Sequence, residues 1–174
     1  MQFPSGIKIN RLTVVEVWDG SSWTEVAEVN TARSELSAAG VSNTSQLIFS
    51  GNVPPATGKT ESWNGTNWTE VNDLSIPRIG LAGAGASNTS SLAFAGENPT
   101  AAQSTTEEFN GGVATGAWVT GGNMNTARGR AGDAGTRTSA LVFGGELTSG
   151  AAAATELYSG TVWVEVNDLN SATR

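Results

Sequence analysis

The sequence predicts an all-β protein in which short antiparallel strands form a row of similar four-stranded units. Composition is the first reason, because the 174 residues include 22 glycines and six tryptophans, and small or turn-forming residues dominate. Such a mixture favours many strands joined by tight turns. Internal similarity is the second reason, because single residues recur every 45 to 50 positions. A period of about 20 to 50 residues is typical of repeat architectures, so we expect several small cores and almost no helix.

Three sets of equivalent residues carry the period. Tryptophans recur at intervals of 45, 50 and 45, at Trp23, Trp68, Trp118 and Trp163. Arginines recur at intervals of 45, 50 and 46, at Arg33, Arg78, Arg128 and Arg174. Phenylalanines recur at intervals of 45 and 49, at Phe49, Phe94 and Phe143. Because the sets share one period, we divide the chain into an N-terminal arm or extra strand (1–15), three units (16–60, 61–106 and 107–155) and a partial unit (156–174).

Each unit contains four predicted strands, called a to d in chain order. Strand a is a run of small residues, at 34–40, 79–85 and 129–135. Strand b is an apolar run that ends in Phe-x-Gly, at 46–51, 91–96 and 140–145. Strands c and d form a hairpin in which c carries Glu and then an aromatic residue, and d begins at the tryptophan. Asp-Gly, Asn-Gly or Ser-Gly supplies the positive φ that the hairpin turn needs.

Four strands in about 45 residues match one blade of a β-propeller, in which radial repetition protects the sheet edges. The units resemble the kelch family, in which a glycine pair ends strand b (here Gly144 and Gly145), an acidic-x-aromatic element lies on strand c and a tryptophan opens strand d. The resemblance covers about residues 14 to 174, although the first two units have Ser50-Gly51 and Ala95-Gly96 instead of the pair. The segments NTAR, LAGAG and LxFxG also resemble repeats in structural proteins of marine bacteriophages.

The strand count leaves the ring incomplete. The chain reads c-d and then a-b-c-d three times, about three and a half blades, whereas propellers have about 4 to 8. Open ends would expose strand edges and an apolar face. We therefore expect a longer parent protein, further copies or another protein to cover them, so that a stable closed monomer does not exist. We also expect an N-terminal strand near Ile7–Ile9 to pair with the first strand c.

The residues that recur in every unit are interpreted as structural. Carboxylates can serve as catalytic acids, but a role in strand c explains their repetition more simply at Glu16, Glu61, Glu107 and Glu156. The guanidinium groups of Arg33, Arg78 and Arg128 are expected to bridge loop carbonyls or these glutamates. The tryptophans Trp23, Trp68, Trp118 and Trp163 are expected to fill the space between adjacent blades.

Several function classes are disfavoured. The chain has no histidine and no cysteine, so we expect no enzyme, no catalytic, metal or cofactor-binding residue and no cofactor. Kelch-type copper oxidases use His, Tyr and Cys at their metal. Because this chain has no His and no Cys, the kelch resemblance does not imply copper chemistry here. A net charge of -7 without a basic run argues against nucleic acid. No apolar stretch is long enough to insert in a membrane, and no signal peptide is recognised at the first residues.

The expected recognition surface is the face of the b-c loops, because loops that vary on a constant scaffold usually carry binding. Its candidate residues are Lys59, Glu97 and Glu146, and Trp18 and Trp63 are candidate sugar-stacking platforms. The leading hypothesis is a structural or adhesive bacteriophage protein at the virion surface, in a tail fibre or on the capsid. Its partners would be further copies or other virion proteins. The alternatives are a carbohydrate-binding propeller with a glycan partner, and an interaction domain cut from a larger kelch protein.

Overall fold

The computed structural model describes residues 7–10, 13–112 and 116–173, and within these residues every regular element is a β-strand. The first sheet contains β1 (Ile7–Asn10), β2 (Val14–Trp18) and β3 (Trp23–Val26). The second contains β4 (Ser37–Ser42), β5 (Ser45–Phe49), β6 (Thr60–Trp63) and β7 (Trp68–Val71). The third contains β8 (Ala82–Ser87), β9 (Ser90–Phe94), β10 (Thr106–Asn110) and β11 (Ala117–Thr120). The all-β class is thus confirmed.

The fourth sheet contains β12 (Gly132–Thr136), β13 (Ser139–Phe143), β16 (Thr155–Tyr158) and β17 (Trp163–Val166). A two-stranded hairpin, β14 (Glu146–Leu147) and β15 (Gly150–Ala151), lies in its b-c connection. Each four-stranded sheet is antiparallel, with its strands in the chain order a, b, c, d. In the first sheet β1 pairs with β2, from Ile7↔Val17 to Asn10↔Val14. The N-terminal strand therefore takes the position that strand b takes elsewhere.

The strand boundaries differ from the predicted ones for a backbone reason. Strand b ends at its phenylalanine because the next two residues have left-handed φ, for example +60° at Ser50 and +109° at Gly51. Strand a begins three residues later than predicted, since its second predicted residue is also left-handed, with φ of +53° at Glu35 and +51° at Arg130. Only the residue before that point pairs across, and it does so with the b-c connection, as in the isolated bridge between Ser34 and Asn52. Non-glycine residues rarely adopt this φ, so the sequence did not signal it.

Three small cores lie between consecutive sheets. The strands a are neighbours, with β8 between β4 and β12. Successive side chains of a strand point to opposite faces, so in β5 Ile48 belongs to the core with the first sheet and Leu47 and Phe49 to the core with the third. The third core joins Leu92 and Phe94 of β9 to residues of the fourth sheet. Each sheet thus buries its apolar side chains against a neighbouring sheet.

Candidate interaction surfaces

The interior interfaces share one tryptophan contact. In the three four-stranded sheets, the indole of strand d crosses to the preceding sheet and donates a hydrogen bond there, from Trp68 to the Ala27 carbonyl (3.1 Å), from Trp118 to Thr60 Oγ1 (3.1 Å) and from Trp163 to Thr106 Oγ1 (3.0 Å). Two of these rings also pack on the strand b phenylalanine of the preceding sheet, with centroids 5.2 Å apart for Phe49 and Trp118 and 5.0 Å apart for Phe94 and Trp163. These tryptophans therefore join adjacent sheets.

A buried carboxylate–arginine pair recurs in the three four-stranded sheets. Glu156 accepts hydrogen bonds from the backbone N–H groups of Asn125 (2.6 Å) and Thr126 (3.1 Å) and from the guanidinium of Arg128. The same arrangement joins Glu61 to Asn30, Thr31 and Arg33, and Glu107 to Ser75 and Arg78. All six side chains of the pairs are at most 3% exposed. Each pair ties the connection between two sheets to strand c of the second one.

The arginines also bind loop carbonyls. Arg78 donates to the carbonyl oxygens of Ala95 (3.1 Å) and Thr105 (2.8 Å), and Arg128 donates to those of Gly144 and Ala154. Burial lowers the pKa of Arg78 to about 10, against the opposing effect of Glu107. The guanidinium therefore stays protonated at neutral pH. Glu16, the counterpart of these glutamates in the first sheet, is half-buried.

The outer side of the first sheet differs from its repeat counterparts. Trp18 is 37% exposed, whereas Trp63, Phe109 and Tyr158 at the same repeat position are at most 1% exposed. Trp23 is half-buried beside it, with ring centroids 5.5 Å apart. We call the outer side of Trp18 and Trp23 the first-sheet face. It is an aromatic surface of the kind that adjoining sheets cover in the interior.

Trp63 is not a sugar-stacking platform, and that prediction is corrected. Its ring is 1% exposed and packs 5.2 Å from Trp68 in the core between the first and second sheets. Its Nε1 donates to the Asn43 carbonyl at 2.9 Å. A ligand cannot stack on a side chain that another sheet already covers. Only Trp18 keeps an exposed ring among the two candidate platforms.

The outer side of the fourth sheet is likewise more exposed than its repeat counterparts. Leu141 and Phe143 of β13 are half-buried, whereas their counterparts Leu92 and Phe94 are fully buried. Leu157 of β16 is 41% exposed and Val166 of β17 is 39% exposed. We call the outer side of Leu141, Phe143, Leu157 and Val166 the fourth-sheet face. Both end faces thus depart from the burial pattern of the interior sheets.

The face of the b-c loops carries an ionic cluster. Arg130 lies 2.6 Å from Glu97, 3.1 Å from Glu146 and 3.7 Å from Glu35. It borders a cavity of about 360 Å³ between the b-c loops of the third and fourth sheets. Two of the predicted binding residues are thus brought together. Sequence reasoning missed Arg130, because Glu35 and Gly80 hold its repeat position and no pattern marks it.

Lys59 lies apart from this cluster. Its ammonium is 2.6 Å from Glu70 Oε1, and this hydrogen bond raises the pKa of Lys59. Both side chains are largely solvated, at 34% and 50% exposure. An exposed pair of this kind contributes at most about 1 kcal/mol. The structure therefore does not join Lys59 to Glu97 or Glu146.

A second cavity of about 270 Å³ lies among the strands a, and sequence reasoning also missed it. Small residues of the three strands line it, together with Gln46 and Asp133. The Asp133 carboxylate accepts a hydrogen bond of 3.4 Å from the Gly83 N–H. Asp133 as a whole residue is exposed, but desolvation by the neighbouring protein raises the pKa of its carboxyl group to about 6 and outweighs that hydrogen bond. Asp133 is the one acidic residue at a repeat position held by Ala38 and Gly83.

Comparisons with known proteins bear on the fold alone. No family model matches the chain, and no curated protein matches it. Among the solved structures that match is that of YjhT, with a TM-score of 0.70 and 14% sequence identity. The match covers 88% of this chain and 51% of the YjhT chain, so this chain spans about half of that length. Separately, no helix among the described residues is long and apolar enough to cross a membrane.

Proposed function

We propose that the four sheets are blades of a kelch-like β-propeller and that the protein is a non-enzymatic structural component acting through protein–protein contacts. The neighbouring strands a, rich in glycine and alanine, support the propeller arrangement, since only small residues fit at a crowded axis. The two apolar end faces carry the functional part of the proposal. The counterparts of Trp18, Leu141 and Phe143 are buried in the interior, as at Trp63, Leu92 and Phe94, and large exposed apolar patches mark interaction sites.

The proposed setting is the surface of a bacteriophage virion, in a tail fibre or on the capsid. The resemblance of the NTAR, LAGAG and LxFxG segments to repeats of marine phage structural proteins supports it. The proposed partners are virion proteins or further copies of this chain, without nucleic acid or membrane insertion. The net charge of -7 disfavours contact with nucleic acid.

Incorporation into phage particles tests this proposal. Phage particles sedimented from a lysate should contain the unchanged chain, and particles made with Leu157→Asp should lack it. Val41→Asp is the matched control, because Val41 is 71% exposed in the second sheet and away from both end faces. Equal incorporation of all three chains, or of none, would contradict an assembly role for the end faces.

Carbohydrate binding is a second candidate, favoured by the exposed ring of Trp18 beside Trp23. Rings of this kind stack on apolar sugar faces. A glycan array should then show selective binding that Trp18→Ala abolishes while the circular dichroism spectrum stays unchanged. An interaction domain of a larger kelch protein is a third candidate, consistent with a chain that spans about half the length of YjhT. We expect no hydrolase or oxidase turnover, with or without added metal ions.

A further inference from the structure

The interior interfaces define how one sheet receives the next. The threonine that opens strand c accepts the indole N–H of the next sheet, at Thr60 for Trp118 and at Thr106 for Trp163. The phenylalanine at the end of strand b packs on the same indole. These two interfaces therefore have a receiving side, with a hydroxyl acceptor and an aromatic wall, and an inserting side, with a tryptophan; at the interface of the first and second sheets, Trp68 donates to the Ala27 carbonyl instead. The fourth-sheet face is a receiving side, and the first-sheet face is an inserting side.

Thr155 shows that the receiving side of the fourth sheet is incomplete. It is the repeat counterpart of Thr60 and Thr106 and is only 6% exposed. Its Oγ1 nevertheless has no hydrogen-bond partner among the described residues. A buried hydroxyl without a partner costs about 1 to 3 kcal/mol. The half-buried ring of Phe143 lies at the position from which Phe49 and Phe94 contact a tryptophan.

We propose that a second copy of this chain docks head-to-tail on the fourth-sheet face and inserts Trp23 at Thr155; the inference rests on the proposed assembly role. The indole N–H of Trp23 donates to Thr155 Oγ1, and its ring packs on Phe143. Trp18 covers Leu157, as Trp63 packs in one core with Val17, the counterpart of Leu157.

Two copies give a closed assembly in which both end faces of each copy are covered. A head-to-tail interface generates a ring when its rotation closes. The YjhT chain, which shares this fold, is about 1.7 times as long as this one, since the match covers 88% of this chain and 51% of the YjhT chain. Two copies of this chain supply slightly more than that length, with eight sheets in place of four. The three-stranded first sheet fits this arrangement because β1 already occupies the strand b position.

Native mass spectrometry with complementing variants tests the proposal. The unchanged chain and the control Val41→Asp should both have the mass of two copies at about 10 μM. Trp18→Asp and Leu157→Asp should each be monomeric, because each damages both contacts of a symmetric ring. Mixing these two variants should restore a two-copy species, since the undamaged face of each meets the undamaged face of the other. Thr155→Val should weaken association about tenfold for each of the two contacts, because it removes one hydrogen bond from each.

Two results would overturn the inference. One is a monomeric unchanged chain at about 10 μM whose circular dichroism spectrum shows a folded β protein. The other is a mixture of Trp18→Asp and Leu157→Asp that stays monomeric, which excludes head-to-tail contact. If the pure chain is monomeric but Leu157→Asp still blocks incorporation into particles, the partner is another protein. In that case the proposed function stands and only the second copy is rejected.

Discussion

The interior interfaces and the end faces use the same residue types at the same repeat positions. Trp63 is 1% exposed and Trp18 is 37% exposed, although both are the strand c aromatic residue that follows the repeated glutamate. Thr106 accepts an indole, whereas Thr155 Oγ1 has no partner among the described residues. The difference lies in whether another sheet is adjacent. In a repeat protein, burial is therefore a property of the neighbour rather than of the residue.

The largest effect should come from breaking a buried pair of the interior. Glu61→Ala leaves the Arg33 guanidinium buried without its carboxylate, and we expect it to lower the free energy of unfolding by about 3 to 5 kcal/mol. Glu70→Ala, which breaks the exposed pair with Lys59, should cost less than about 1 kcal/mol. Urea unfolding in the Leu157→Asp background measures both without a contribution from association. Similar losses for the two variants would mean that the repeated pair is not structural.

Replacing an interior tryptophan should likewise cost more stability than replacing its counterpart at an end face. Trp68→Ala removes a side chain that is 6% exposed, and we expect a loss of about 3 to 5 kcal/mol in the free energy of unfolding. Trp23→Ala removes its half-buried counterpart and should cost about 1 to 2 kcal/mol in the monomeric background. Urea unfolding again provides the measurement. A loss under about 1 kcal/mol for Trp68→Ala would contradict its packing between sheets.

The threonine pair offers a finer comparison. Thr106→Val leaves the Trp163 indole N–H buried without an acceptor and should cost about 1 to 3 kcal/mol. Thr155→Val replaces a buried hydroxyl that has no partner, so the monomer should change by less than about 0.5 kcal/mol or become more stable. Thermal unfolding of both variants in the Leu157→Asp background compares them. Equal destabilisation would show that Thr155 Oγ1 has a partner in solution.

The smallest effect concerns the inner strands rather than the interfaces. The pKa of Asp133 is raised from 3.8 to about 6, so the protonated carboxyl fits the fold better than the charged one. The contribution of Asp133 to the free energy of unfolding should therefore be most favourable below about pH 4 and fall as the pH rises to about 6, and it should be small because the residue is exposed. Asp133→Asn should remove this part of the pH dependence. An unchanged slope in a pH series of urea unfolding would mean that Asp133 titrates normally.

The sequence predicted the parts of the fold that repeat. The period placed all four sheets, and the Glu, Arg and Trp positions recur because each sheet needs the same contacts with its neighbour. The sequence also contains a further signal, because a threonine directly precedes the glutamate at Thr60, Thr106 and Thr155. This repeat marks the acceptors of the Trp118 and Trp163 indoles.

The features that do not repeat could not be predicted. Arg130 gathers three carboxylates, but its counterparts are Glu35 and Gly80, so no pattern pointed to the cluster. Trp18 and Trp63 were equal candidates for sugar stacking because sequence reports residue type and not which sheet lies alongside. The left-handed φ at the second predicted residue of strand a does repeat, but only Gly80 is a glycine there, and Glu35 and Arg130 gave no such signal.

The central claim is that both end faces are covered by protein in the functional state, with a second copy as the proposed cover. The dependence of the melting temperature on chain concentration tests it most directly, because association stabilises the folded state by mass action. Between about 1 and 100 μM, the melting temperature of the unchanged chain should rise by several degrees, and that of Leu157→Asp should stay constant. A constant melting temperature for the unchanged chain, equal to that of Leu157→Asp, would contradict the claim for a second copy.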